Sequence, residues 1–155
     1  MKIVYKVLIF SLFLSINSFS QDTKLSKSTA ETIDEVSIPT EVKAKLNNFF
    51  NALSNNEIDN ALDNLLLNSP LKERKEDLSV LKEQTERAIR IYGKFSGAKF
   101  VNGHFASEVY LRLRYIGLYE KYPMRWIFTY YKSPKLGWIV TNIKLDDLTE
   151  FYLGE

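Results

Sequence analysis

Three aromatic-rich segments in the C-terminal third constrain this fold more than anything else in the chain. Glu108–Tyr119, Met124–Tyr131 and Gly137–Leu145 each alternate with the two-residue period of a strand. In the first, Val109, Leu111, Leu113 and Tyr115 share one face, while Tyr110, Arg112 and Arg114 share the other. Both faces turn apolar at Ile116 and Leu118 around Gly117, which predicts a bend or bulge covered on both sides. Turn residues at Lys121-Tyr122-Pro123 and Lys132–Gly137 make the three segments consecutive antiparallel neighbours. A sheet with so large an apolar face needs a cover.

The preceding residues supply one. Val42, Leu46, Phe49, Phe50 and Leu53 recur at helical spacing and predict an amphipathic helix over 40–54, broken by Asn55-Asn56. Ile58, Ala61, Leu62, Leu65 and Leu66 predict a second, shorter helix. Ser69-Pro70 carries a cap and a first-turn proline. Leu78, Leu81, Thr85, Ala88, Ile89 and Tyr92 then predict a third helix over 77–92, ended by Gly93. Phe95–Ala106 reads as a short hairpin turning at Asn102-Gly103. The expected fold is α+β: three N-terminal helices packed on a strongly bent antiparallel sheet of three to four strands, cone-shaped overall.

Residues 1–20 read as a signal peptide. Lys2 and Lys6 precede the apolar run Val7–Leu14, and Ser18-Phe19-Ser20 places small residues where a signal peptidase cuts. The run is shorter than the roughly 17–25 residues of a membrane span. Residues 21–37 are polar and unpatterned, a flexible leader, and 38–155 form one domain. The protein is therefore expected to be exported, periplasmic or secreted, with no membrane attachment after cleavage. It contains no cysteine, so its core must hold without disulfides. Lys2 and Lys6 account for the whole formal charge of +2. Without them no bulk positive field remains to draw nucleic acid.

Two segments carry a resemblance. The Phe49-Phe50 pair followed by Asn56–Leu62, and the closing Gly137–Asp146 with its tryptophan, resemble the nuclear transport factor 2-like superfamily, also called SnoaL-like or cystatin-like cones. Tyr92–Phe95 and Tyr119–Lys132 are similar to secreted bacterial members. The resemblance spans residues 38–153 and implies a cone fold. It also implies a possible homodimer through the open sheet face. The superfamily hosts both enzymes and non-catalytic modules, and no catalytic residue carries over onto this sequence.

Candidate chemistry divides into two sets. Tyr92, Tyr115, Trp126, Tyr130 and Trp138, with Phe128, could line a ligand pocket in the cone, although a filled core explains them equally. Tyr110, Arg112, Arg114 and Arg125 could form an interface or bind an anion, arginine engaging carboxylates while tyrosine stacks planar groups. His104 is the only histidine, and a transition-metal site is not expected. Asp146, Asp147 and Glu150 lack the loop spacing of a calcium site, and Asp147 is expected to cap a terminal turn. No cofactor motif is present. The expectation is a non-catalytic exported domain that binds a small apolar or anionic ligand, or a protein partner. It would do so through the cone mouth or the Tyr/Arg face. One alternative is a small lyase, isomerase or hydrolase using Tyr115, Tyr130 and Arg114 on a carbonyl. The other is a structural or dimerisation module of the cell envelope.

Overall fold

The computed structural model describes residues 31–152; the expected signal peptide and most of the leader lie outside these. After a short first strand come three α-helices: α1 (Thr40–Ser54), α2 (Ile58–Leu65) and α3 (Lys75–Tyr92). A 3₁₀ turn at Pro70–Glu73 links α2 to α3, and the Ser69 hydroxyl caps it by accepting from the Leu71 N–H at 3.1 Å. Asn56, at φ 63°, breaks α1 from α2. These boundaries agree with the helical periodicity to within two residues.

The sheet differs from expectation. It has five antiparallel strands, not three to four: β1 (Glu31–Ile33), β2 (Phe95–Ser107), β3 (Tyr110–Tyr119), β4 (Met124–Ser133) and β5 (Gly137–Asp146). Their order in the sheet follows the chain. The α+β class stands; the strand count does not. Two causes account for the error. Glu31–Ile33 falls in the polar stretch read as leader, and its short edge pairing with Gly103–Phe105 has no periodic signal. Asn102-Gly103, read as a hairpin turn, lies inside one 13-residue strand.

Gly103 serves close approach rather than a turn. A Cβ there would lie 2.8 Å from both the Ile33 and Leu113 side chains, so β1 can seat its one buried residue only over a glycine. The real β2–β3 turn is Glu108-Val109, between the paired Ser107 and Tyr110. Neither turn residue has a positive φ, so this is not a primed hairpin turn. A register shift between Phe105 and Ser107 adjusts the strand twist instead.

Alternation along β3 is complete. Leu111, Leu113, Tyr115, Gly117 and Tyr119 face inward and are buried. Across the ladder, Trp126, Phe128 and Tyr130 of β4 take the same face, followed by Trp138, Val140 and Leu145 of β5. α1 lies on this surface. Phe49 meets Trp126 at 5.3 Å and Phe128 at 5.6 Å, both edge to face. Phe50 meets Tyr115 at 5.2 Å and stacks on Phe95 at 5.9 Å.

α1 also closes one end of the exposed sheet margin. Glu41 accepts from the Trp138 N–H at 2.9 Å, and Lys45 donates to the Trp138 carbonyl at 2.7 Å. Ser69 donates to the Val140 carbonyl. Three backbone groups at the start of the β5 edge are thereby occupied by side chains, which blocks strand addition there.

Gly117 keeps its place in the inward row because the Trp126 ring fills the volume of a side chain. A Cβ would stand 2.9 Å from the indole and 3.2 Å from Phe95. Gly117→Ala should therefore destabilise the fold by about 1–3 kcal/mol through overpacking. A lowered urea midpoint with unchanged slope would register this loss; an unchanged midpoint would refute the packing argument.

Candidate functional site

Tyr115, Trp126, Tyr130 and Trp138 come together, as the cone-pocket expectation requires, but around side chains rather than a cavity. All four are buried, Trp126 and Tyr130 completely. Trp126 stacks on Phe128 at 5.8 Å, and Phe49 and Phe50 occupy the space in front of them. Tyr92 is not among them. It ends α3 and donates from its hydroxyl to Asp147 at 3.2 Å.

Burial raises the phenol pKa of Tyr115, of Tyr119 and of Tyr130. For Tyr115 the Glu35 charge adds a second upward push, and for Tyr130 the Tyr115 phenol does so. The Trp126 indole pulls Tyr119 slightly back. The Tyr119 hydroxyl and the Trp126 Nε1, though close enough to influence each other, do not reach hydrogen-bond geometry, and with the Tyr130 hydroxyl they are buried without a satisfied partner. Such groups cost stability, and these phenols stay protonated through the physiological range.

Arg114 cannot join Tyr115 and Tyr130 on one carbonyl. Successive β3 residues point to opposite faces, and Arg114 meets Asn102 at 3.4 Å on the outer one. Arg125 is on that face too, where it holds Asp146 with two bonds of 2.8 and 2.9 Å. Its guanidinium lies 5.8 Å from the Tyr152 ring, under the C-terminal 3₁₀ turn Thr149–Tyr152. Just ahead of this turn Asp146 accepts from the Leu148 N–H at 3.2 Å, while Asp147 accepts from the Tyr92 hydroxyl. Arg112 is exposed opposite Thr129, and Tyr110 pairs across the ladder with Tyr131, both rings partly in solvent. His104 sits mid-strand beside Thr32, with Nδ1 and Oγ1 3.3 Å apart. The outer Tyr/Arg set is thus split: Arg125 and Arg114 are engaged by neighbours, and Tyr110, Arg112 and Tyr131 remain at the surface.

Among the described residues, a recess more enclosed than the larger, shallower ones lies elsewhere, between α3 and β5. α3 buries only Thr85 and Ala88 fully. The small residues let the helix approach the sheet there, and the Thr85 hydroxyl is satisfied by the Leu81 carbonyl at 2.8 Å. One and two turns earlier, Leu81 and Leu78 reach only partial burial. There a cleft of about 310 Å³ opens, floored by Leu66, Leu71, Leu78, Leu81 and Ile143. Arg74, Asp77, Gln84, Asn142 and Lys144 rim it. Gln84 also borders a second recess of about 250 Å³, which runs on past Arg87 and Ile91 to Tyr92 and Asp147.

Sequence reasoning missed this cleft because each leucine in it obeys the ordinary helical pattern. The available signal was the mismatch within one stripe, large residues at 78 and 81 against small ones at 85 and 88.

The buried phenols give a pH signature. Unfolded tyrosine ionises near about pH 10. The folded phenols hold their protons higher, so above that pH the unfolded chain has lost protons that the native one retains. Stability is fully present below about pH 10 and falls as the pH rises beyond it. Absorbance titration should show Tyr115, Tyr119 and Tyr130 ionising only as the fold opens. Tyr130→Phe should lose no stability and reduce that late absorbance step; early ionisation of all tyrosines would contradict the burial.

Comparison with protein-family models, with curated proteins and with solved structures found no match, so the superfamily resemblance rests on the residues of this chain alone.

Proposed function

We propose that this chain is a non-catalytic, exported binding domain that takes a small ligand in the cleft between α3 and β5. The observation that carries this reading is the contrast between two apolar surfaces. The sheet interior is closed by Phe49 and Phe50, whereas Leu78 and Leu81 face an open volume of about 310 Å³. That volume lies in the range of small-molecule sites, and its apolar floor with a polar rim is their usual composition. Export rests on the basic, apolar and small-residue pattern of residues 1–20. Kinship with nuclear transport factor 2-like proteins rests on Phe49-Phe50 and the Gly137–Asp146 strand.

Leu81→Trp tests the site by filling it. The chain should bind 1-anilinonaphthalene-8-sulfonate with enhanced fluorescence, and the variant should bind it about tenfold more weakly while keeping its circular dichroism spectrum. Equal dye binding by both proteins would remove the cleft from consideration.

A second reading, a homodimer through the outer face, is favoured by the opposed, solvent-exposed Tyr110 and Tyr131 beside Arg112. Aromatic and arginine side chains are enriched at interfaces. Light scattering at tens of micromolar should then give twice the monomer mass, and a clean monomer would overturn it.

A further inference from the structure

Resting on the cleft reading above, we infer that the ligand is a short extended peptide that adds as a strand to the free edge of β5. Two of its aliphatic side chains enter the recesses beside α3, and an acidic residue between them meets Lys144 on the opposite face.

The backbone carries the argument first. β5 lies at the margin of the sheet, so one of its sides has no strand neighbour. Successive residues of an antiparallel strand turn their N–H and C=O groups alternately to one side and the other. Trp138 gives both groups to α1 side chains, away from β4, and Lys132 opposite it donates its N–H to Val109 at 2.8 Å, on the β3 side. β4 pairs with β3 without a register shift, so Tyr130, Phe128 and Trp126 share the orientation of Lys132. Phe128 and Trp126 stand opposite Ile143 and Leu145. The latter two therefore turn their N–H and C=O groups to the open edge, beyond the stretch that Glu41, Lys45 and Ser69 occupy. Two donors and two acceptors there match the main chain of an added strand.

The cleft takes the side chains. Ile143 lines the first recess, Leu145 the second, and Gln84 borders both. Asn142 and Lys144 point to the other face, level with Thr129 and Ile127, yet they border the cleft, so it opens onto the strand edge. A strand laid there sends every second side chain to the Ile143 face, beside Leu78 and Leu81. Val80 and Ile91, exposed at 53% and 44%, flank the two recesses along α3. They stand about three turns apart, roughly 16 Å, the reach of about five strand residues.

Lys144 selects the residue between. Its neighbour on β4 is Ile127, and Asp146, two residues on, is held by Arg125. No ion pair engages Lys144 among the described residues. An acidic side chain directly opposite it completes a cross-strand charge pair. A second β5 using the same free groups, Ile143 against Leu145, would oppose the two lysines, which disfavours a copy of this chain as occupant.

The probe is acetyl-Thr-Leu-Glu-Leu-Thr-amide, titrated into the full chain beside its counterpart with Lys in place of Glu. In the chain alone the Ile143 and Leu145 amides should exchange with solvent quickly and the Lys144 amide slowly. Saturating peptide should slow the first two about tenfold and shift the Leu78 and Leu81 methyl signals. The glutamate peptide should bind about fivefold more tightly, the scale of one exposed charge pair, and Lys144→Glu should reverse the order. An order that survives Lys144→Glu overturns the acidic assignment. If the methyls move while both amides stay fast, the strand assignment falls and the cleft reading stands. If neither responds although the dye still binds at Leu81, the peptide assignment falls alone. Amides already slow in the chain alone, increasingly so with concentration, would give the edge to a second copy instead.

Discussion

Phe49 and Phe50 decide how the two halves of this molecule meet. Adjacent residues on a helix point about 100° apart, so together they reach neighbouring strands. Phe49 takes Trp126 and Phe128 of β4, and Phe50 takes Tyr115 of β3 and Phe95 of β2. Phe50 also meets Phe128, and these five ring contacts from two residues fix the rotation and position of α1 on the sheet. Once α1 is seated, Glu41 and Lys45 fall beside Trp138, where they occupy the backbone of the edge strand.

That seating determines what remains for α3. With the centre of the sheet covered by α1, the third helix packs at the margin, against β5. Its small residues Thr85 and Ala88 are buried in the core, and its larger leucines pack against the core only partly buried. The cleft is therefore a consequence of side-chain size along one stripe, not of an insertion or a special loop. Its rim inherits the charges that flank the helix and the strand. Arg74 and Asp77 satisfy each other there.

The outer face shows how little a charged sequence pattern says until its neighbours are known. Arg112, Arg114 and Arg125 look equivalent along the strands. In the fold, Arg125 is fixed by Asp146 through two hydrogen bonds and capped by Tyr152, Arg114 meets Asn102, and Arg112 extends into solvent. Their partners come from β2, β5 and the C-terminal turn, up to 27 positions away, and no local pattern announces them.

The helices and the three long strands from Tyr110 to Asp146 were legible in the sequence because periodicity is a local property: one face of each element must be apolar to be buried. The aromatic row was legible as well, though only the tertiary structure could tell a filled core from a lined pocket, since both require large apolar residues on the same face. Local turn chemistry misled at Asn102-Gly103, where the glycine answers to Ile33, seventy positions earlier, rather than to a hairpin. β1 itself gains its place from pairing with β2 and from Ile33, buried over Gly103. The sequence by itself thus determined which residues go inside. Where the inside closes and where it stays open was decided by packing between distant elements, because a gap arises from the fit of two surfaces and neither surface alone contains it.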